Sequence, residues 1–208
     1  ATAQDDVDYA QDPRDATTRF TAGGGIGVAG LWDRLLFALR SGDLNLLIST
    51  QLSGSSRVLF HRQISEREQL IAPFLSYDPD PYLVIVDGKQ YWINDAYTTG
   101  KSYPYSERYG SGNRTSKISV SDINYIRNSV KVVTNTYDGS ITYYVVDDQD
   151  PVLRNLRAIY PSLFKPIAQM PQSLQAHLRY PEQLFNIQTQ IYATYHMTDP
   201  DNFYNRND

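Results

Sequence analysis

A handful of segments carry residue types that could do chemistry. Gly25-Ile26-Gly27-Val28-Ala29-Gly30 spells G-x-G-x-x-G ahead of an apolar helical stretch, the arrangement that cradles a pyrophosphate at a helix N-terminus. A dinucleotide site also needs an apolar strand leading in and an acidic ribose ligand about 20 residues on. Residues 14–22 are polar apart from Ala16, Phe20 and Ala22, and the downstream position reads Ser49-Thr50. The glycines therefore read as a tight turn with close backbone packing, and no nucleotide cofactor is expected. The three histidines, His61, His177 and His196, fall into neither H-x-x-x-H nor H-E-x-x-H spacing, and there is no cysteine, so a zinc site has no support. His177 and His196 flank adjacent helices around Tyr180-Pro181 and could meet, although structural imidazoles are the simpler reading. The acidic pairs Asp78/Asp80, Asp147/Asp148 and Asp199/Asp201 keep company with proline and asparagine, as turns and helix caps require. Asp199-Pro200-Asp201-Asn202 lacks the mid-loop glycine and distal glutamate of a calcium loop. There is no G-x-S-x-G elbow and no glycine–lysine phosphate loop. No catalytic, cofactor-binding or metal-binding residue is assigned.

The remaining candidate is a recognition segment. Residues 98–122 are rich in Tyr, Ser and Gly and locally basic within a chain of net charge −4. A loop of this length is usually functional or mobile. Tyr103, Tyr105, Arg108, Tyr109, Arg114 and Lys117 are its expected partner-facing residues, because a positive strip orients an encounter and aromatic rings add contact area at small entropic cost. The alternative is that the loop packs on its own domain. Seventeen tyrosines, against roughly 6 or 7 at average usage, suit half-buried sheets as well as interfaces.

The elements that must position these residues follow from pattern. Residues 1–22 form an acidic lead-in, and 23–75 a glycine-rich turn followed by helices. Leu31, Trp32, Leu35, Leu36 and Leu39 recur at helical spacing until Ser41-Gly42, a helix stop. Residues 44–52 fit helix or strand, and 56–72 read helical until Pro73. Residues 82–146 hold two hairpins centred on Asp87-Gly88 and Asp138-Gly139, dipeptides that tolerate a type I′ turn. A two-residue loop in the second would pair Thr136 with Ile141, Thr134 with Tyr143 and Val132 with Val145. One face is then apolar, so a sheet packed on a single side is expected. Residues 150–208 are helical, with Asp150-Pro151 and Asp199-Pro200 as capped starts. The fold class expected is α+β, an antiparallel four-stranded sheet from two Asp-Gly hairpins packed with several α-helices. No linker is clean enough to divide the 208 residues, which read as a single fragment.

With 41% hydrophobic and 20% charged residues, the composition is that of a globular domain. The negative balance supplies no field for nucleic acid. No run approaches the ~20 apolar residues of a membrane span, since Leu31–Leu39 is broken by Asp33 and Arg34. The start at Ala1, without initiator Met or signal-type stretch, reads as a fragment boundary.

Several segments in order are similar to one family. They are Gly-Gly-Gly-Ile-Gly (23–27), Leu-Leu-Phe-Ala-Leu-Arg-Ser-Gly-Asp (35–43), Ser-Arg-Val-Leu-Phe-His-Arg (56–62), Ala-Pro-Phe-Leu (72–75), Val-Asp-Gly-Lys (86–89) and Trp-Ile-Asn-Asp-Ala-Tyr-Thr-Thr (92–99). Tyr-Pro-Tyr-Ser (103–106), Asn-Tyr-Ile-Arg-Asn-Ser-Val-Lys (124–131), Ala-His-Leu-Arg-Tyr-Pro-Glu (176–182) and Tyr-His-Met-Thr-Asp-Pro (195–200) complete the set. Together they resemble the bacterial and archaeal integral membrane proteins of uncharacterised protein family 0182. The resemblance implies a parent with N-terminal transmembrane helices and a large domain outside the cytoplasm, running on past Asp208, and no assigned activity. The chain is accordingly expected at the cell membrane, on the extracytoplasmic side, as a non-catalytic interaction or structural domain. Its expected partners are its own transmembrane region, sister subunits, or an envelope polymer or protein. The alternatives are an envelope enzyme whose site is completed by further sequence, and a cell-wall or sugar-binding module using the tyrosines.

Overall fold

The computed structural model describes residues 6–9, 16–18, 21, 23–109 and 122–205. The chain divides into two compact units, Ala1–Arg62 with Tyr137–Gly139, and Gln63–Thr136 with Ser140–Asp208.

In the first unit β1 (Asp6–Tyr9) pairs antiparallel with β2 (Ala16–Thr18). β3 (Ile26–Gly27) pairs with β4 (Arg57–Val58), and between them run α1 (Leu31–Ser41) and α2 (Asn45–Ile48). α1 stops where expected, at Gly42 in the left-handed region (φ 68°), a conformation that other residues adopt at a cost. The helix expected over 56–72 is corrected. Arg57 and Val58 are in a ladder, and the helical segment, in the second unit, is only α3 (Ile64–Ile71).

The second unit is built on one mixed sheet. β5 (Ser76–Tyr77) and β6 (Tyr82–Val86) both pair with β7 (Lys89–Gly100), which pairs with β8 (Tyr125–Asn135), then β9 (Ile141–Val145) and finally β10 (Phe164–Pro166). This corrects the four-stranded antiparallel expectation, because the sheet has six strands and β10 lies parallel to β9. The extra strands are two and three residues long, too short to show a period. β10 is parallel because α4 (Pro151–Ile159) carries the chain back across the sheet before it.

The two Asp-Gly turns differ. Val86 pairs with Lys89 across Asp87 (φ 51°) and Gly88 (φ 72°), both left-handed, as a two-residue I′ turn requires. In the second hairpin only Gly139 has positive φ, and residues 136–140 form a longer connection. Thr134 therefore pairs with Ile141, Val132 with Tyr143 and Val130 with Val145, which corrects the expected register. The slip is by two residues, so every side chain keeps its face.

The sheet is covered on both faces, not one. On the first face Val130, Val132, Tyr143 and Val145 pack with Ala72 beyond α3, Leu153 of α4 and Phe164. On the second, Val84, Val86, Ile93, Val133 and Tyr144 pack with Met170 and with Leu174 of α5 (Gln172–Gln175). α6 (Glu182–Tyr195) and α7 (Pro200–Asn205) follow.

Asp150 joins α4 to the first face. As N-cap its side chain accepts from the Val152 N–H (2.9 Å), and it also accepts from Ser129 Oγ (2.5 Å), Tyr125 Oη (2.7 Å) and the Thr98 hydroxyl. Burial opposes the charge, but these donors outweigh it and hold the carboxyl below the ordinary carboxylate range. The depressed value means that its stabilisation is present above the ordinary pKa and lost as pH falls through the folded one. Asp150→Ala removes the cap and strands two buried hydroxyls, so a loss of about 3 kcal/mol is expected. Urea unfolding at pH 7 checks this, and an unchanged midpoint would contradict the role.

Candidate functional site

The second face of the sheet holds a line of polar side chains where apolar ones would be expected. β7 contributes Asp95 and Tyr97, β8 contributes Asn128 and Lys131, the segment after β5 contributes Asp78, and the first turn of α6 contributes Gln183. A bulge brings the β8 pair together. Ala96 pairs with Val130 and Tyr97 with Asn128, leaving Ser129 as an extra residue. Side chains three apart on a regular strand face opposite ways, and the added residue returns Asn128 to the face of Lys131.

The Lys131 ammonium donates to Asp95 Oδ1 and, at 2.7 Å, to the Arg179 carbonyl. Asn128 Nδ2 donates to the same Asp95 oxygen at 2.6 Å. Lys131 and Asp95 are 5% and 6% exposed at their side chains, a buried ion pair. Burial pushes the Asp95 carboxyl up, against the pull of Lys131 and Asn128, and neighbouring Asp78 adds to the rise. Asp78 Oδ2 accepts from Tyr97 Oη at 2.5 Å and from the Gln183 N–H at 3.2 Å, while Oδ1 accepts from the Asp80 N–H at 3.1 Å. Burial, then the Asp78 carboxylate, raises the Tyr97 hydroxyl well above its usual range. The network cross-links β5, β7, β8 and the start of α6. At its edge Arg127, Asn128, Lys131, Arg179, Tyr180 and Gln188 are among the residues lining a pocket of about 480 Å³. Asp78 and Asp95 are each held by donors from neighbouring elements, so the arrangement fixes those elements relative to one another.

On the first face Glu68 is fully buried. Asn94 Nδ2 donates to its Oε2 at 2.7 Å, and Oε1 has no partner. Tyr77 and Tyr143 donate to its backbone carbonyl at 2.8 and 3.0 Å. Burial, only partly offset by Asn94, pushes the carboxyl up to about 7, and burial pushes the Tyr143 hydroxyl up to about 12.

The expected recognition residues are placed as follows. Tyr103 stacks on Tyr125 (5.7 Å between ring centres), and its backbone is clamped by the Asn124 side chain. Arg108 pairs with Asp122 at 3.0 Å, and Tyr109 Oη donates to Gln190 of α6 at 2.5 Å. Tyr105 is fully exposed with φ 55°. Arg114 and Lys117 lie outside the described residues. Among the described residues no group of three or more His, Cys, Asp or Glu could hold a metal ion. His177 lies in the turn before α6, and His196 is the C-cap of that helix. His196 stacks on Tyr192.

The glycine turn also has a structural account. The Arg57 guanidinium donates to the carbonyls of Gly23 (2.9 Å), Gly24 (2.7 Å) and Gly25 (3.0 Å). Carbonyls turned inward suit a cation, whereas a phosphate cradle needs inward N–H groups.

What the geometry defines is an α+β domain with a hydrogen-bonded polar interior. The profile of Uncharacterised protein family (UPF0182) matches residues 1–208. A UPF0182 protein of Synechococcus sp. (strain JA-2-3B'a(2-13)) is 48% identical over 203 residues, 98% of this chain and 23% of the relative. Those of Alkaliphilus metalliredigens (strain QYMF) and Methanospirillum hungatei JF-1 are each 45% identical over 207 residues, 100% of this chain and 21% and 22% of the relatives. No solved structure matches. The chain belongs to the UPF0182 family, and spans between a fifth and a quarter of the length of these curated relatives.

Two outcomes are expected. Lys131→Met leaves Asp95 buried and unpaired and destabilises by about 3–5 kcal/mol, whereas Lys131→Met with Asp95→Asn loses much less. Equal losses in chemical unfolding of the two would contradict a mutually dependent pair. Glu68 is raised above its ordinary 4.5, so its contribution is full below that pH and declines as pH rises toward 7. Relative to the native chain, Glu68→Gln should therefore gain thermal stability between pH 5 and pH 7.5. A melting-temperature difference that stays flat across this range would contradict the assignment.

Proposed function

We propose that this chain is a non-catalytic interaction domain on the extracytoplasmic side of a multi-pass membrane protein, and that it docks on the remainder of that protein. The observation that carries this reading is the outward face of α1 and α2. At about 100° per residue, Leu31, Leu35, Leu39, Trp32 and Leu36 fall within an arc of about 140°. Leu31, Trp32, Leu36 and Leu39, with Leu44 and Ile48, are 64–77% exposed. The side of α1 turned toward its unit carries Ala38, which is buried, and Arg34, whose guanidinium donates to the Val28 and Leu52 carbonyls at 3.0 and 3.1 Å. An apolar arc held outward favours a covering surface, and the matched relatives have about four-fifths of their length outside the aligned region to supply one. Among the described residues no helix is long and apolar enough to cross a membrane, so in this reading the membrane contact belongs to other segments.

The test uses a family-length protein. Tyr105→Cys introduces a thiol at a fully exposed position of a chain without cysteine. In the family-length protein in intact cells, a membrane-impermeant maleimide should label it before lysis. Labelling only after lysis rejects the extracytoplasmic placement. Leu36→Glu with Leu39→Glu should leave the unfolding midpoint of the 208-residue chain nearly unchanged, as surface changes do, and abolish its capture by the rest of the protein. Undiminished capture rejects the docking role of α1.

A further inference from the structure

The pocket beside Lys131 has more donors than its own acceptors use. It is lined by Arg127, Lys131 and Arg179. The lining carboxylate, Asp147, is taken by Arg127 at 2.5 Å, and Asp95, the counter-ion of Lys131, lies behind the wall. Asp150 also lies close to Arg127, so Arg127 and Lys131 are both matched by carboxylates. Arg179 has no carboxylate partner among the described residues, and its guanidinium lies 4.4 Å over the Tyr82 ring, which fixes the plane of the group and leaves its edge nitrogens free to donate. Lys131 uses two of its three protons, on Asp95 and on the Arg179 carbonyl. Gln188 accepts the Tyr180 hydroxyl at 2.6 Å through Oε1, so its amide nitrogen remains a donor. The buried Lys131–Asp95 pair pins the Arg179 backbone, so the loop carrying Arg179 is held in place before any ligand arrives.

We propose that this pocket binds a small oxyanion, a carboxylate or phosphate group, with Arg179 as its principal ligand and Lys131 and Gln188 as the supporting donors. A guanidinium presents two parallel N–H donors that match the two oxygens of such a group. An oxygen-rich ligand satisfies the surplus donors without displacing the internal pair. The proposal assigns a ligand class to the second unit and is independent of the docking face on α1.

Titration calorimetry of the 208-residue chain with inorganic phosphate and, separately, with glucuronate tests it. Saturable binding of either is expected at low ionic strength, weakening as salt screens the charges. Saturation by phosphate alone assigns the phosphate group, and saturation by glucuronate alone assigns the carboxylate. Arg179→Gln should weaken the binding at least about tenfold. Arg179→Lys, which keeps the charge and loses the paired donors, should fall between. Arg154→Gln, an exposed charge on α4, should leave binding unchanged, and near-native melting temperatures verify that the variants are folded. No saturation by either anion up to about 10 mM, or affinity equal in Arg179→Gln and the native chain, overturns the proposal.

Discussion

The ion pair between Lys131 and Asp95, almost out of reach of water, is the constraint on which the second unit depends. Both strands that carry it are covered on both faces, so an unpaired charge there would forfeit several kcal/mol. Sliding β7 past β8 by one residue would set Lys131 against Asn94 or Ala96, with Asp95 left beside an apolar neighbour. The pair therefore selects one register among those that the apolar residues alone would allow, since Val130, Val132 and Val133 tolerate one another's places. The bulge at Ser129 serves the same end on both faces. It sends Asn128 to Asp95 and turns Ser129 toward Asp150.

The buried network of acids, tyrosines and a lysine ties strands and helices together through shared acceptors. Asp95 accepts from Lys131 and Asn128, and Asp78 accepts from Tyr97 and two backbone N–H groups. Asp150 is committed to four donors. Each of these three carboxylates is engaged by groups that the fold also needs for its strand and helix contacts. Spare hydrogen-bonding capacity is found on the buried Gln183 amide and, at the network's edge, on Arg179 and Gln188.

Much of this was legible in the sequence where the signal was local. Asp87-Gly88 gave its I′ turn, Gly42 its left-handed stop, and Asp150-Pro151 its cap, because each is fixed by one or two residues' backbone preferences. The second Asp-Gly turn was not, because Asp138 keeps negative φ within a longer connection. β5 and β10 were hidden because strands so short carry no period, and a parallel partner arriving after a helix is a tertiary event. The site could have been suspected from Lys131 inside Val130-Lys131-Val132-Val133 and from Asp95 inside Ile93-Asn94-Asp95-Ala96, since lone charges of opposite sign within apolar strands point to each other. Asn128 could not, because its face depends on the bulge. The tyrosine-rich loop drew attention through composition, yet the structure ties Tyr103, Arg108 and Tyr109 into contacts within their own unit and leaves Tyr105 outward.

The first unit spends its sequence differently. α1 turns its small and hydrogen-bonded residues inward and its leucines and Trp32 outward, the reverse of a helix folded for water. In the reading proposed above, another surface of a family-length protein covers this arc. Amide hydrogen exchange compares the two situations directly, with the 208-residue chain and a family-length protein measured side by side. The account predicts that the amides of Leu35–Ser41 exchange at least about tenfold more slowly in the family-length protein, while those of β7 and β8 are slow in both. Equal exchange of α1 in the two proteins would contradict it.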